Sequence, residues 1–134
     1  MMTPELVLMM ALIAKHFVAD ALLQFPYQYL NKGKFLHPGG LLHAGIHGVL
    51  TAYCFMTYSP SVILLVASID TVLHYFIDYA KMNLSAFFKW SEYVDEDGKS
   101  FLKIYDNNFF VVLILDQCLH MMTYVLLIGI ALVV

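Results

Sequence analysis

The stretch Ser61-Val62-Ile63-Leu64-Leu65-Val66-Ala67-Ser68-Ile69-Asp70-Thr71-Val72-Leu73-His74-Tyr75-Phe76-Ile77-Asp78 decides the reading of this chain. It opens without a charge, then sets an aspartate, a histidine and an aspartate four residues apart. Four residues is slightly more than one turn of a helix, so Asp70, His74 and Asp78 project from one face. The same spacing recurs in every other apolar segment: His16 and Asp20, His43 and His47, Asp116 and His120. Ionisable groups at membrane depth are costly and normally face a bundle interior or a wet cavity. Helices that converge their histidine and aspartate faces build a metal site inside a bundle.

Composition supports a membrane setting. Of 134 residues, 61% are apolar and 13% are charged, against about 25% charged in soluble domains; the mean hydropathy is +0.75. The N-terminus has no basic residue before its apolar run, and Lys15, His16 and Asp20 interrupt that run. A cleavable signal peptide is therefore not expected. Net charge is −3 and arginine is absent, so nothing argues for nucleic acid. Cys54 and Cys118 lie in apolar segments without metal-like spacing, and burial as small apolar side chains is expected rather than a disulfide.

About 20 apolar residues cross a bilayer as a helix, and four segments qualify as one domain over 1–134. They run from about Pro4 to Phe25, Leu41 to Tyr58, Ser61 to Asn83 and Phe109 to Val134. Thr3 and Pro4 open the first, and Pro26 ends it. Between the third and fourth lie the aromatic stretch from Leu84 to Trp90, an acidic turn Asp95-Glu96-Asp97-Gly98, and Lys99 to Tyr105. This insertion is expected to form an interfacial helix or a short hairpin. The fold expected is an all-α membrane protein, a four-transmembrane-helix bundle carrying that insertion. With four crossings, Lys32, Lys34, Lys81, Lys89, Lys99 and Lys103 all fall on the loop side. The positive-inside rule then puts the loops in the cytoplasm and both termini outside, in a bacterial inner membrane.

Depth adds a test. Although the helices alternate in direction, all four His/Asp groups fall toward the loop-side half, as one shared site requires. A mixed imidazole and carboxylate set suits zinc, with iron or manganese as alternatives. Its candidates are His16, Asp20, His43, His47, Asp70, His74, Asp78, Asp116 and His120. Two ions, or one ion with a rich polar surround, both fit this number. Asp70 is the deepest and can instead orient a ligating histidine. Lys81 continues the face of the third helix at the rim, where it can hold an anion or snorkel. Lys15 points elsewhere on the wheel, to snorkel or pair. Gln24 and Gln117 can position water or substrate, and His37 is read as an interfacial loop residue.

The strings His16-Phe17-Val18-Ala19-Asp20-Ala21-Leu22-Leu23-Gln24, Asn31-Lys32, His43, Asp70-xxx-His74-xxx-Asp78-xx-Lys81 and Asp116-Gln117-xx-His120 together resemble the domain-of-unknown-function family 3307. These are small bacterial and phage membrane proteins. The resemblance covers nearly the whole chain and implies no activity. A looser similarity, to inner-membrane proteins labelled metal-dependent hydrolases, implies only a reaction class.

The function expected is a membrane-embedded metal-dependent hydrolase acting on a phosphoester or acyl bond of a lipid-like or amphiphilic substrate. His43, His47, His74 and His120 are the core ligands in this reading, completed by His16, Asp20, Asp78 and Asp116. Asp78, Asp116 and Lys81 handle the proton or the substrate, with Lys81, Gln24 and Gln117 contacting substrate. Membrane lipids are the expected partners, and a homo-oligomer is compatible. The alternatives are a divalent-metal or proton transporter, and a phage or bacterial accessory protein with a structural metal. A transporter also needs polar groups in the outer half, where Leu6 to Ala14, Ser61 to Ile69 and Tyr124 to Val134 supply almost none.

Overall fold

The computed structural model describes residues 2–88, 92–94, 100–102 and 107–134. They form α1 (Pro4–Ala21), α2 (Pro26–Tyr29), α3 (Pro38–Cys54), α4 (Pro60–Phe88), two short strands β1 (Glu92–Val94) and β2 (Ser100–Leu102), and α5 (Asn107–Val133). The fold is helical, with β1 and β2 pairing antiparallel between α4 and α5. The acidic turn from Asp95 to Gly98, together with Lys99 and residues 103–105, lies outside the described residues.

Prolines set most helix starts. The Thr3 hydroxyl accepts from the Leu6 N–H at 3.3 Å, and Pro4 takes the first helical position, where its missing N–H is not needed. A residue before proline is pushed out of the helical region. Phe25 is accordingly extended (φ −90°, ψ 160°), so α1 stops at Ala21 rather than at Phe25 as expected, and Pro26 begins a separate turn. The same rule makes His37 extended (φ −68°, ψ 135°), and its ring accepts from the Gly39 N–H at 3.1 Å. His37 is thus the cap of α3 rather than a bare interfacial residue.

That cap starts α3 at Pro38, not Leu41. Gly39 and Gly40 read as loop in the sequence, yet here they admit a close approach. A Cβ on Gly39 would lie 2.5 Å from the Tyr27 carbonyl oxygen. At its other end α3 finishes at Cys54 instead of Tyr58, because Phe55 to Ser59 turn the chain into Pro60, with the Tyr58 N–H bonded to the Phe55 carbonyl at 2.9 Å. Helix α4 continues past Asn83 to Phe88, so Leu84 to Phe88 belong to it and not to an interfacial segment.

Helices α1, α3, α4 and α5 close a ring, α3 packing on α1 and α4, and α5 on α4 and α1. Gly48 permits the tight α3–α4 seam: a Cβ there would collide with the Thr71 hydroxyl and approach the Ala67 carbonyl oxygen to 3.0 Å. Small residues serve this purpose in helix pairs generally. One end of the ring is filled by Leu8, Leu12, Phe55, Val62, Val66, Tyr124, Leu127, Ile128 and Ala131.

Elsewhere the usual distribution is inverted. Lys15, Lys32, Asp70, Asp78, Asp116 and five histidines are buried, whereas Phe17, Val49, Leu64, Met122 and Val125 are exposed. Two helical segments, Pro60–Phe88 and Phe110–Val133, are long and apolar enough to cross a membrane. The other two expected spans fall short for identifiable reasons. Helix α1 has 18 residues and includes Glu5, Lys15 and Asp20, and α3 has 17. At about 1.5 Å per residue, each is somewhat shorter than a hydrocarbon core of about 30 Å. Both cysteines are free, and Cys118 is exposed rather than buried as expected.

Candidate metal centre

The ring of helices brings the five histidines of α1, α3, α4 and α5 into one interior cluster. The His47 and His74 rings stack with centroids 3.5 Å apart, and His74 and His120 lie at 4.3 Å. His16 and His120 are at 4.9 Å, and His43 and His74 at 5.0 Å. The i, i+4 spacing carries this convergence: each helix turns its pair toward the common axis.

Three of the four aspartates are neutralised by lysines. Lys15 Nζ lies 2.7 Å from Asp70 Oδ2, Lys32 Nζ 3.0 Å from Asp78 Oδ2, and Lys81 Nζ 2.7 Å from Asp116 Oδ2. The fourth, Asp20, faces imidazoles instead, with contacts of 3.2 Å to each of His16, His43 and His47 Nε2. Its side chain is also the most open of the four, 31% exposed against 1–5% for the others. Asp20 thus sits among imidazoles with no lysine of its own.

His43 Nε2 faces more carboxylate oxygens than it has protons to give. Asp20 Oδ1 lies at 3.2 Å, Asp78 Oδ2 at 3.3 Å, His74 Nε2 at 3.2 Å and the Gln24 amide nitrogen at 3.1 Å. A neutral imidazole offers one N–H at most. That proton can serve one of the two carboxylate oxygens, leaving the other facing the same nitrogen unserved, while the Gln24 amide brings a donor to it. Separations near 3.2 Å are what a tetrahedral ion with ligands at about 2.0 Å produces, since its ligand–ligand edges are about 3.3 Å. The residues therefore fit a divalent ion.

Two groups of donor atoms lie within 4.8 Å of one another, Asp20 with His43, His47 and His74, and His74 with Asp78 and His120. Four buried polar atoms have no hydrogen-bond partner among the described residues: His16 Nε2, His74 Nδ1, His120 Nε2 and Asp116 Oδ1. Buried polar groups are nearly always paired, so three bare imidazole nitrogens in one cluster call for a ligand. His47 is the conditional member. While Lys15 Nζ, 3.4 Å away, donates to its Nδ1, the ring proton belongs on Nε2 and goes to Asp20. Nε2 would be free to meet an ion only with Lys15 directing its protons to Asp70 and to the His47 carbonyl at 3.3 Å.

The remaining expected site residues are placed as follows. Asp70 stands outside both donor groups, held by Lys15 and by the Thr51 hydroxyl at 2.6 Å. It does not touch a histidine directly; it acts on His47 through Lys15. Asp116 is likewise outside both groups, bound by Lys81 and by the Gln117 amide at 3.2 Å. Gln117 therefore serves Asp116, while Gln24 reaches His43. Lys15 is buried and pairs rather than snorkels, one of the two outcomes expected for it.

Lys32, Thr51 and Tyr124 are site neighbours that the helical spacing did not reveal. Lys32 comes from the α2–α3 connection, which is tied onto α4 where the Asn83 amide donates to the Gly33 carbonyl at 2.9 Å and the Leu36 N–H donates to the Tyr75 hydroxyl at 2.6 Å. Tyr124 places its hydroxyl 2.9 Å from His16 Nδ1. A charge count held the usable signal, because buried aspartates need cations and only lysine supplies them here.

An apolar groove of about 340 Å³ lies between α4 and α5, lined by Phe76, Ile77, Leu84, Val112 and Leu115, with Lys81 and Asp116 in its wall.

No curated protein and no solved structure shows significant similarity to this chain. The family described as "Protein of unknown function (DUF3307)" matches residues 7–134. With that match spanning almost the whole sequence, including every histidine and aspartate of the cluster, the chain belongs to the DUF3307 family.

Proposed function

We propose that this chain is a membrane-embedded, metal-dependent hydrolase whose substrate is a lipid-like or amphiphilic phosphoester or acyl ester. The observation that carries the reading is the crowded His43 Nε2, with two carboxylate oxygens within 3.3 Å, His74 Nε2 at 3.2 Å and one proton to offer. Asp20, His43 and His74 would hold the ion, with His47 joining when Lys15 releases its ring. Zinc suits this donor set, and iron or manganese are alternatives. A divalent ion in such a site supplies a Lewis acid that activates water and polarises the electrophile.

The chain's own residues divide the remaining work. Asp20, the most open of the four carboxylates, would take a proton from water arriving at the rim, and Gln24 would orient His43 beside it. Asp78 and Asp116, which the sequence suggested for proton transfer, are each bound to a lysine; they set the position of that lysine. Lys81 is the most exposed of the three paired lysines, at 24%. It borders the apolar groove, so an acyl chain lying along Phe76 and Leu84 would present an anionic group to it. The apolar packing of Leu12, Phe55, Val66 and Leu127 closes the opposite end, which counts against a transit path for ions.

Four crossings of a bacterial inner membrane, with the α1–α3 and α4–α5 connections in the cytoplasm, go with this reading. The apolar residues exposed on all four long helices support it, as does the lysine distribution. In a chain freed of its native cysteines, Lys34→Cys should resist membrane-impermeant thiol reagents in intact cells, and Ser59→Cys should react. The reverse labelling would invert the topology and hand the site to the periplasm.

The activity is tested on the full chain in mixed micelles with phosphoester and acyl-ester lipid analogues. Turnover should require the ion, stop with chelator and return on adding metal back. Lys81→Ala should keep the ion and raise KM for anionic substrates about tenfold. No turnover by metal-loaded protein on either substrate class would reduce the ion to a structural fastener.

A further inference from the structure

The second donor group lies beside the first, and its atoms are the ones left without partners. His120 Nδ1 donates to the Asp116 backbone carbonyl at 2.8 Å. That bond fixes the tautomer, so Nε2 carries a free lone pair, and this atom is buried and unpartnered. A backbone carbonyl on the outer nitrogen is a common way to orient a metal-ligating histidine. His16 presents the same picture. Its Nδ1 meets the Tyr124 hydroxyl, while Nε2 sits 3.2 Å from Asp20 Oδ2 without hydrogen-bond alignment.

His74 belongs to both donor groups. Its Nε2 faces His43 at 3.2 Å and Asp78 at 3.5 Å, and its Nδ1 has no partner. Asp78 supplies an oxygen to the second group while Lys32 fixes its carboxylate at 3.0 Å. One side chain thus stands between two sets of donors, each containing a carboxylate and at least one further imidazole.

We infer that the bundle holds two divalent cations, the second bound by His74, Asp78 and His120, with His16 Nε2 beside them and His74 shared between the two. This rests on the metal reading above and specifies its nuclearity. Sharing His74 requires its ring proton to leave to solvent, which frees one nitrogen lone pair for each ion.

The test uses the full chain in detergent, stripped with chelator and titrated with Co²⁺. The wild type should bind two equivalents per chain, and the second should weaken the electron paramagnetic resonance signal of the first through exchange coupling. His120→Ala should bind one equivalent, with an uncoupled signal. His120→Asn serves as a second variant, and size-exclusion profiles report folding. Saturation of the wild type at one equivalent would overturn the second position while leaving the metal reading intact. No binding at all would end both. One equivalent in the wild type and none in folded His120→Ala would show a single ion ligated by His120, which also overturns the division. The wild-type stoichiometry decides the matter even if both variants misfold.

Discussion

Lys15→Ala, with Asp70 left in place, should cost about 3–5 kcal/mol of stability, the scale for leaving one partner of a buried ion pair uncompensated. The carboxylate would keep only the Thr51 hydroxyl, at 2.6 Å, in a part of the bundle where Asp70 is 1% exposed. Asp70→Ala should cost a similar amount by stranding the ammonium, which also touches the His47 carbonyl. The double change Lys15→Met with Asp70→Leu should restore most of the loss, because apolar side chains of comparable volume need no partner there. Unfolding in detergent micelles, followed by helical signal, measures all three. Since Asp70 lies outside both donor groups, the double variant should retain its metal. Single variants that lose less than about 1 kcal/mol would show that the pair is not an anchor of the fold.

His43→Ala and His74→Ala should each remove most of the bound metal and all metal-dependent turnover. The effect on ion content should far exceed the effect on folding. If these rings were only hydrogen-bonding glue between helices, each loss would cost about 1 kcal/mol and leave metal content unchanged. The two accounts differ most at His74, which takes part in both donor groups. Loss of His74 should disturb both ion positions, whereas loss of His120 should spare the first.

The four-residue spacing made the histidine cluster legible in the sequence. On a helix it leaves a side chain few directions to point, and the short α3–α4 connection forces two of the faces together. The shared depth of His16, His43, His74 and His120 was readable for the same reason. Charge pairing was not. Lys15 pairs with Asp70 across 55 positions, and Lys32 with Asp78 across 46. Helical periodicity carries no information about a partner on another element. Lys32 also comes from a connection whose course depends on Asn83 and Tyr75, residues that spacing cannot link to it.

The helix boundaries near Ala21 and Pro38 follow from local rules, above all the extended residue before each proline. The expectation differed there by running the first helix up to Pro26 and by reading Gly39-Gly40 as loop. Helix α1 is shorter than the expected span for a related reason: it carries Lys15 and Asp20 for the site and so has fewer residues to give to lipid.

The central claim is that a divalent ion occupies the Asp20, His43 and His74 donors. It is tested most directly by elemental analysis of the full chain, purified in detergent without chelator from cells supplied with zinc, iron and manganese. The account predicts between about one and two ions per chain. Less than about a tenth of an equivalent of any transition metal, in protein that elutes as a folded species, would contradict it.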